Sequence, residues 1–300
     1  MSRVDEPVPI RTQRRHARLG KRAAPYLLGA PASFWLTAFF VVPLVTMLSL
    51  SLQTCDTLTL ACRLTWHWAE FGEVFDSYST QFVRSLLFAG SATAINLVVA
   101  FPLVYWIAFR AKHKTAFLVL LLVPFFVSYV IRTILWQFVL SDHGVVLGSL
   151  KSANLLPESF RVLDTSIAVV AGIAYNFLPF TALPLYVALE RIDPRIVEAA
   201  HDLYANRRTT FARILLPLSL PGIFAAFLLT FVPAAGDYVN ATLLGGTSST
   251  MIGNVIQNQF LVFSDYPSAS ALSTILMVAM LIGIFIYARV LGARSIEAYV

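Results

Sequence analysis

The sequence predicts an all-α integral membrane protein with six transmembrane helices, on three observations. Six apolar stretches are each long enough to cross a hydrocarbon core about 30 Å thick, which takes roughly 20 helical residues rising about 1.5 Å each. Charged residues make up only 13% of the chain against 58% hydrophobic ones, and a mean hydropathy of +0.73 is far above what a soluble surface tolerates. The basic residues, finally, gather on alternate sides of those stretches.

The spans fall at residues 27–52, 84–109, 115–139, 166–189, 213–235 and 270–291. With both ends in the cytoplasm, the cytoplasmic segments hold seven Lys and Arg before residue 27, three in 110–114, five in 191–213 and two after 288. The outer loops hold only Arg63, Arg84, Lys151 and Arg161, so the positive-inside tendency orients the chain. The organisation is therefore a basic cytoplasmic segment (1–26), a six-helix membrane domain (27–291) with a cytoplasmic loop at about 190–213, and a cytoplasmic tail (292–300). No internal repeat suggests two inverted halves.

In chain order, "RTQRRHARLGKR" stands immediately before the first span and reads as a topogenic anchor beside anionic lipid rather than a nucleic-acid arm. The apolar run after it is too long for a cleaved signal segment and is expected to stay in the mature protein. The first outer loop, 53–83, carries Cys55 and Cys62, where a disulfide and a pair of unlinked thiols are both open readings. Its "LTWHWAEFGEVF" suits either a short interfacial helix, with Trp66 and Trp68 at headgroup level, or an ordinary soluble loop.

The third span contains Arg132, whose unpaired burial would cost at least about 2.5 kcal/mol. Two readings are open: snorkelling to the interface, or pairing with a polar partner such as Asp142 or Asp237. Prolines at 43, 102, 124, 179, 184, 217, 221 and 233 punctuate nearly every span, each freeing a carbonyl and permitting a kink. The last outer loop, 236–269, is rich in Gly, Ser and Thr without any Lys or Arg, which suits a segment dipping inward as well as a plain surface loop.

Enzyme chemistry is missing from the spans. No H-E-x-x-H pair, G-x-S-x-G elbow or G-x-x-x-x-G-K-[ST] loop occurs, and "GGTSST" at 245–250 has no lysine. His16, His67, His113, His143 and His201 are too scattered to hold a metal. Asp237 in "AAGDY" lacks the second intramembrane aspartate that a shared-proton protease needs. The chain is thus expected to be no enzyme and to bind no cofactor.

The cytoplasmic loop is more informative. In "ERIDPRIVEAAHDLYAN" Asp193 can cap a helix that Pro194 opens, and Ile192, Ile196, Ala199, Ala200 and Leu203 form one narrow apolar stripe. Such a stripe is too small for lipid and suits docking into a groove of a partner protein.

The whole run "EAAHDLYANRRTTFARILLPLSLPGI" resembles the EAA loop of binding-protein-dependent ABC importer permeases. "SYVIRTILWQFVLSDHGVV", "FLPFTALPLYVALERID", "FVPAAGDYVNATLLGG" and "MIGNVIQNQFLVFSDYPSASALS" are similar to the polyamine (spermidine and putrescine) branch, in its first permease subunit. The resemblance implies a type I importer permease of the MetI-like fold in a bacterial inner membrane, working with a second permease, two ATPase subunits that bind ATP and Mg, and a periplasmic solute-binding protein. It implies that Glu198, Ala199, Ala200, Asp202, Leu203 and Tyr204 contact the ATPase. Opines or other amines are the alternative solutes, and a secondary transporter or channel is the alternative class.

A cationic solute calls for carboxylates and aromatic faces along its path, which Asp237, Tyr238, Tyr175 and Trp136 can offer beside Arg132; helix capping and interfacial anchoring are the plain alternatives. One departure stands out. The family has glycine where this chain has Tyr204, and a tyrosine in the left-handed conformation costs roughly 1–2 kcal/mol, so the turn is expected to move to Asn206.

Overall fold

The computed structural model describes the backbone of residues 14–55 and 62–297 and the side chains of 29–54, 63–200 and 202–289. Helix α1 (Arg14–Leu50) annexes the second half of the basic segment and then presents Phe34, Trp35, Phe39 and Phe40 outward, as a span surrounded by apolar medium does. Strands β1 (Gln53–Cys55) and β2 (Cys62–Leu64) pair antiparallel with Cys55 opposite Cys62. The side chains of both cysteines, and hence the disulfide question, lie outside the described residues.

Helix α2 (Ala69–Phe109) is interrupted at Tyr78, whose φ of −120° and ψ of 15° leave the helical region. The segment before the break is the short helix that the tryptophan-bearing stretch suggested, with Trp66 and Trp68 exposed in front of it.

The third span departs from expectation. Instead of one helix over 115–139, α3 (Lys114–Leu122) tightens into a 3-10 turn at Val123–Phe126 and α4 (Tyr129–Val139) restarts after an 88° bend. Pro124 supplies the reason. It has no N–H for the carbonyl four residues back, so the ladder closes early with Val127 donating to the Pro124 carbonyl at 3.2 Å, and Ser128 is extended at ψ 138°.

A loop with the short helix α5 (Val145–Ser152) leads to α6 (Ser166–Glu190), which Thr165 caps by accepting from the Ala168 N–H at 3.3 Å. Two short helices, α7 (Pro194–Asp202) and α8 (Arg207–Thr210), then precede a π turn at Phe211–Leu215 and the long α9 (Leu216–Ala235). The π turn answers Pro217, whose ring crowds the carbonyl four residues back, and Leu216 reaches instead to the Phe211 carbonyl. Last come α10 (Val239–Leu244), α11 (Ile252–Leu261) and α12 (Tyr266–Glu297), which runs into the stretch assigned as tail.

Helices α2, α6 and α9 form the centre of the bundle. Near α7 they enclose Val104, Ile107, Leu185 and Leu189, and towards the opposite end Ala89, Ala92, Ile173 and Ala234. Between membrane helices lipid is as apolar as leucine, so close contact and interhelical hydrogen bonds do the holding. Gly222 lets α9 approach α6: a Cβ there would strike Ala188 and come 3.0 Å from the Pro184 carbonyl oxygen. The hydroxyls of Thr181 and Thr230 meet at 2.7 Å across the same seam.

The 236–269 loop is folded into the bundle rather than lying on it, with Asn240, Leu244, Met251 and Ile252 buried. Ser85 Oγ accepts from the Ile252 N–H at 2.7 Å, and Arg84 donates to the Thr250 carbonyl at 3.1 Å. These α2 side chains fix where α11 starts.

Candidate functional site

Two arrangements stand out, a buried polar cluster at the α4–α6–α10 junction and the exposed loop around α7. In the cluster, Asp237 joins α9 to α10. Its Oδ1 accepts from the N–H groups of Val239 (2.9 Å) and Asn240 (3.3 Å), the capping role that an aspartate before a helix fills. Its Oδ2 accepts from the Tyr129 hydroxyl (2.6 Å) and Asn240 Nδ2 (2.5 Å). Asn176 of α6 donates to Asn240 Oδ1 at 3.2 Å and to Thr133 Oγ1 at 3.1 Å, which ties three elements together. Gly172 makes the approach possible, since a Cβ there would lie 2.6 Å from Asn240 Oδ1.

Asp237 is only 6% exposed, and among the described residues no basic group lies within ion-pair distance of it. Four donors thus hold a carboxylate whose charge is offset by hydrogen bonds rather than by a counter-ion.

Arg132 follows neither expected course. It does not snorkel, being 7% exposed, and it pairs with neither Asp142 nor Asp237. Its guanidinium lies 4.9 Å from the Phe125 ring centroid and 5.9 Å from that of Tyr129, while Nε and Nη1 have no hydrogen-bond partner among the described residues. The 88° bend explains the placement: it turns α4 across the bundle, so a position seven residues from the end of the span no longer leads to the surface. Asp142 is taken by Lys151 (2.9 Å) and Arg161 (3.1 Å), and the Lys151 hydrogen bond is the main cause that holds its carboxyl below the usual range.

The other named aromatics divide. Trp136 and Tyr175 meet edge to face with centroids 5.2 Å apart. Tyr238 lies apart from them beside Asp237, on a hollow of about 400 Å³ lined also by Tyr129, Phe177 and Pro233.

In the exposed loop, Asp193 Oδ1 accepts from the Arg195 N–H at 2.9 Å and starts α7 as expected. The end of α7 corrects the expected turn. Tyr204 itself takes the left-handed conformation (φ 57°), and the Ala205 N–H bonds to the Ala200 carbonyl at 2.9 Å, the six-to-one closure of a Schellman motif. Asn206 stays extended and caps α8 by accepting from Thr209 at 2.8 Å. The reason is that Asn206 is needed as that cap, so the strain stays on the tyrosine. Tyr204 is 99% exposed and Leu203 82% exposed, an apolar pair at the tip of the loop.

A family model described as "Binding-protein-dependent transport system inner membrane component" matches residues 22–295. The chain belongs to this family. Among its relatives, the spermidine/putrescine transport system permease protein PotB of Haemophilus influenzae is 36% identical over 258 residues, covering 85% of this chain and 90% of that protein. Its Escherichia coli namesake is 33% identical over 258 residues (85% and 93%), and the E. coli inner membrane ABC transporter permease protein YdcU is 28% identical over 283 residues (89% and 90%). A bacterial ABC transporter that imports the acidic polysaccharide alginate shares the fold at a TM-score of 0.69 and 20% identity, over 93% of this chain and 99% of that one. The permease is thus a multi-pass component of an inner-membrane transport system with the importer-permease fold.

Within the permease loop, one named residue needs correcting. Ala200, placed by helical spacing on the exposed stripe, is 5% exposed and turned into the protein, as is Ile192 at 7%. Glu198, Ala199 and Asp202 face outward with Leu203 and Tyr204. The stripe splits because α7 lies against α8 and the core end of the bundle, and that contact takes its inner edge. Sequence reading missed Tyr129, Thr133, Asn176 and Asn240. The signal available was Thr133, Asn176 and Asn240 standing as polar positions amid apolar runs, with Tyr129 one turn before Thr133.

Proposed function

We propose that the chain is one of two permease subunits of an ATP-driven importer that moves polyamines across the inner membrane. The observation that carries this is the similarity to the H. influenzae spermidine/putrescine permease over nearly the full length of both chains. The remaining parts follow the family pattern: a second permease, two ATPase subunits holding ATP and Mg, a periplasmic solute-binding protein, and both termini of this chain in the cytoplasm. On this reading Glu198, Ala199, Asp202, Leu203 and Tyr204 meet the ATPase, Ala200 supporting them from beneath. The path runs past Asp237 and Tyr238, with Trp136 and Tyr175 offering ring faces and Arg132 fixing the wall.

Chemistry favours a cation there. The 236–269 loop has no basic residue, and Asp237 contributes a charge with no counter-ion among the described residues beside aromatic rings that attract cations. The test is uptake of labelled spermidine and putrescine by cells with and without this gene, in competition with an opine and with monoamines. Loss of polyamine uptake on deletion, restored by the gene, is expected. Unchanged polyamine uptake together with lost uptake of an opine would transfer the assignment to that solute.

A further inference from the structure

A second cavity is separate from the polar cluster. It holds about 780 Å³ between the α7 end of α2 and the start of α9, with Val98, Phe101, Trp106, Phe211 and Leu216 in an apolar lining. Two charged residues share that lining, Arg110 and Arg207, and no acidic one does. Among the described residues neither arginine forms an ion pair.

The positions of these groups along the membrane decide what fits. From Leu97 to Arg110 the lining follows α2, a rise of about 20 Å at 1.5 Å per residue. One leaflet contributes about 15 Å of hydrocarbon, so the groove spans one leaflet and reaches its headgroup level. Arg110 caps α2 where the apolar run ends, and Arg207 opens α8 on the same side. We infer that this groove binds an anionic membrane phospholipid, with an acyl chain against Val98 and Phe101 and the phosphate held by Arg110 and Arg207. Basic pockets between membrane helices on the cytoplasmic side recognise such headgroups.

The bound lipid would touch the coupling region directly. Val197 of α7 and Phe211 of the π turn line the groove, and the Phe211 ring stands edge to face with Phe101 at 5.2 Å. A lipid in this place joins α2 to the segment that leads into α9, so its headgroup charge bears on how that segment moves. No particular solute is required for this.

The experiment uses the transporter purified with its partner subunits and reconstituted in nanodiscs of phosphatidylcholine with a minor share of phosphatidylglycerol, read by native mass spectrometry for retained lipid. The parent is expected to retain phosphatidylglycerol in preference. Arg110→Gln and Arg207→Gln should each weaken retention about five-fold, the equivalent of ~1 kcal/mol per basic residue at an anionic surface. The paired Lys variants should keep it, and Val98→Trp should lose it with the charges intact. Equal retention by the parent and the Gln pair would overturn the proposal. So would a full-yield cross-link from Val98→Cys to the second permease, which would make the groove a subunit contact.

Discussion

The Tyr129 hydroxyl donates to Asp237 Oδ2 at 2.6 Å across 108 residues of sequence, and through it the start of α4 is fastened to the turn between α9 and α10. The bond fixes a buried carboxylate that also caps α10, so removing the donor and removing the charge should have separable effects.

Tyr129→Phe takes one donor from the carboxylate and leaves the rest. A hydrogen bond to a charged group contributes about 1.5–3 kcal/mol, and the lower figure is expected because Asn240 Nδ2, which also loses its contact to the Tyr129 hydroxyl (2.6 Å), still holds Oδ2. Thermal unfolding of the purified complex should fall accordingly. Asp237→Asn keeps the cap but removes the charge, and uptake of polyvalent amines should drop several-fold with a weakened dependence on salt. Parent-like uptake and salt response in Asp237→Asn would reduce Asp237 to a structural cap.

Tyr204→Gly should act on stability and coupling in opposite directions. Glycine takes the left-handed conformation freely, which relieves about 1–2 kcal/mol of strain. The same change deletes an aromatic group that is 99% exposed. Higher thermal stability with solute-stimulated ATP hydrolysis reduced about thirty-fold is expected, since buried aromatic anchors at interfaces are worth ~2 kcal/mol or more. A variant that gains stability and hydrolyses ATP like the parent would show that the side chain meets no partner.

Gly222→Ala tests the central seam. Its Cβ would fall on Ala188 and within 3.0 Å of the Pro184 carbonyl, so α9 must withdraw from α6 and strain the Thr181–Thr230 contact. A loss of about 1–3 kcal/mol is expected, as for other overpacked sites. Gly283→Ala is the control, since nothing lies within 4 Å of its added Cβ. Equal melting of the two variants would mean that the seam yields without cost.

Cys55 and Cys62 are directly opposed in the β1–β2 register, the backbone arrangement that brings two strand positions within bridging range. A disulfide is expected, closing a short loop and adding about 2 kcal/mol on a chain-entropy basis. Mass spectrometry after alkylation without reductant should find neither thiol modified; modification of both would exclude the bridge.

Much was legible in the sequence because the membrane imposes one-dimensional rules. The apolar span lengths, the Asp193–Pro194 helix start and the EAA run all depend on residues near one another in the chain, so they are readable without coordinates. What only the tertiary structure decided depends on residues brought together from far apart. Arg132 looked like a residue near an interface until an 88° bend after Pro124 turned α4 inward. Ala200 sat on the right stripe by spacing, but packing against the rest of the chain chose which edge of the stripe to bury. Asp237 had no basic residue in its own loop, and besides Val239 and Asn240 there it found Tyr129 on another helix, because a hydrocarbon interior makes an unsatisfied polar group costly and so collects such groups into one cluster. Tyr204 kept the strained turn for the same kind of reason: Asn206, the easier residue for it, was already committed to capping the next helix.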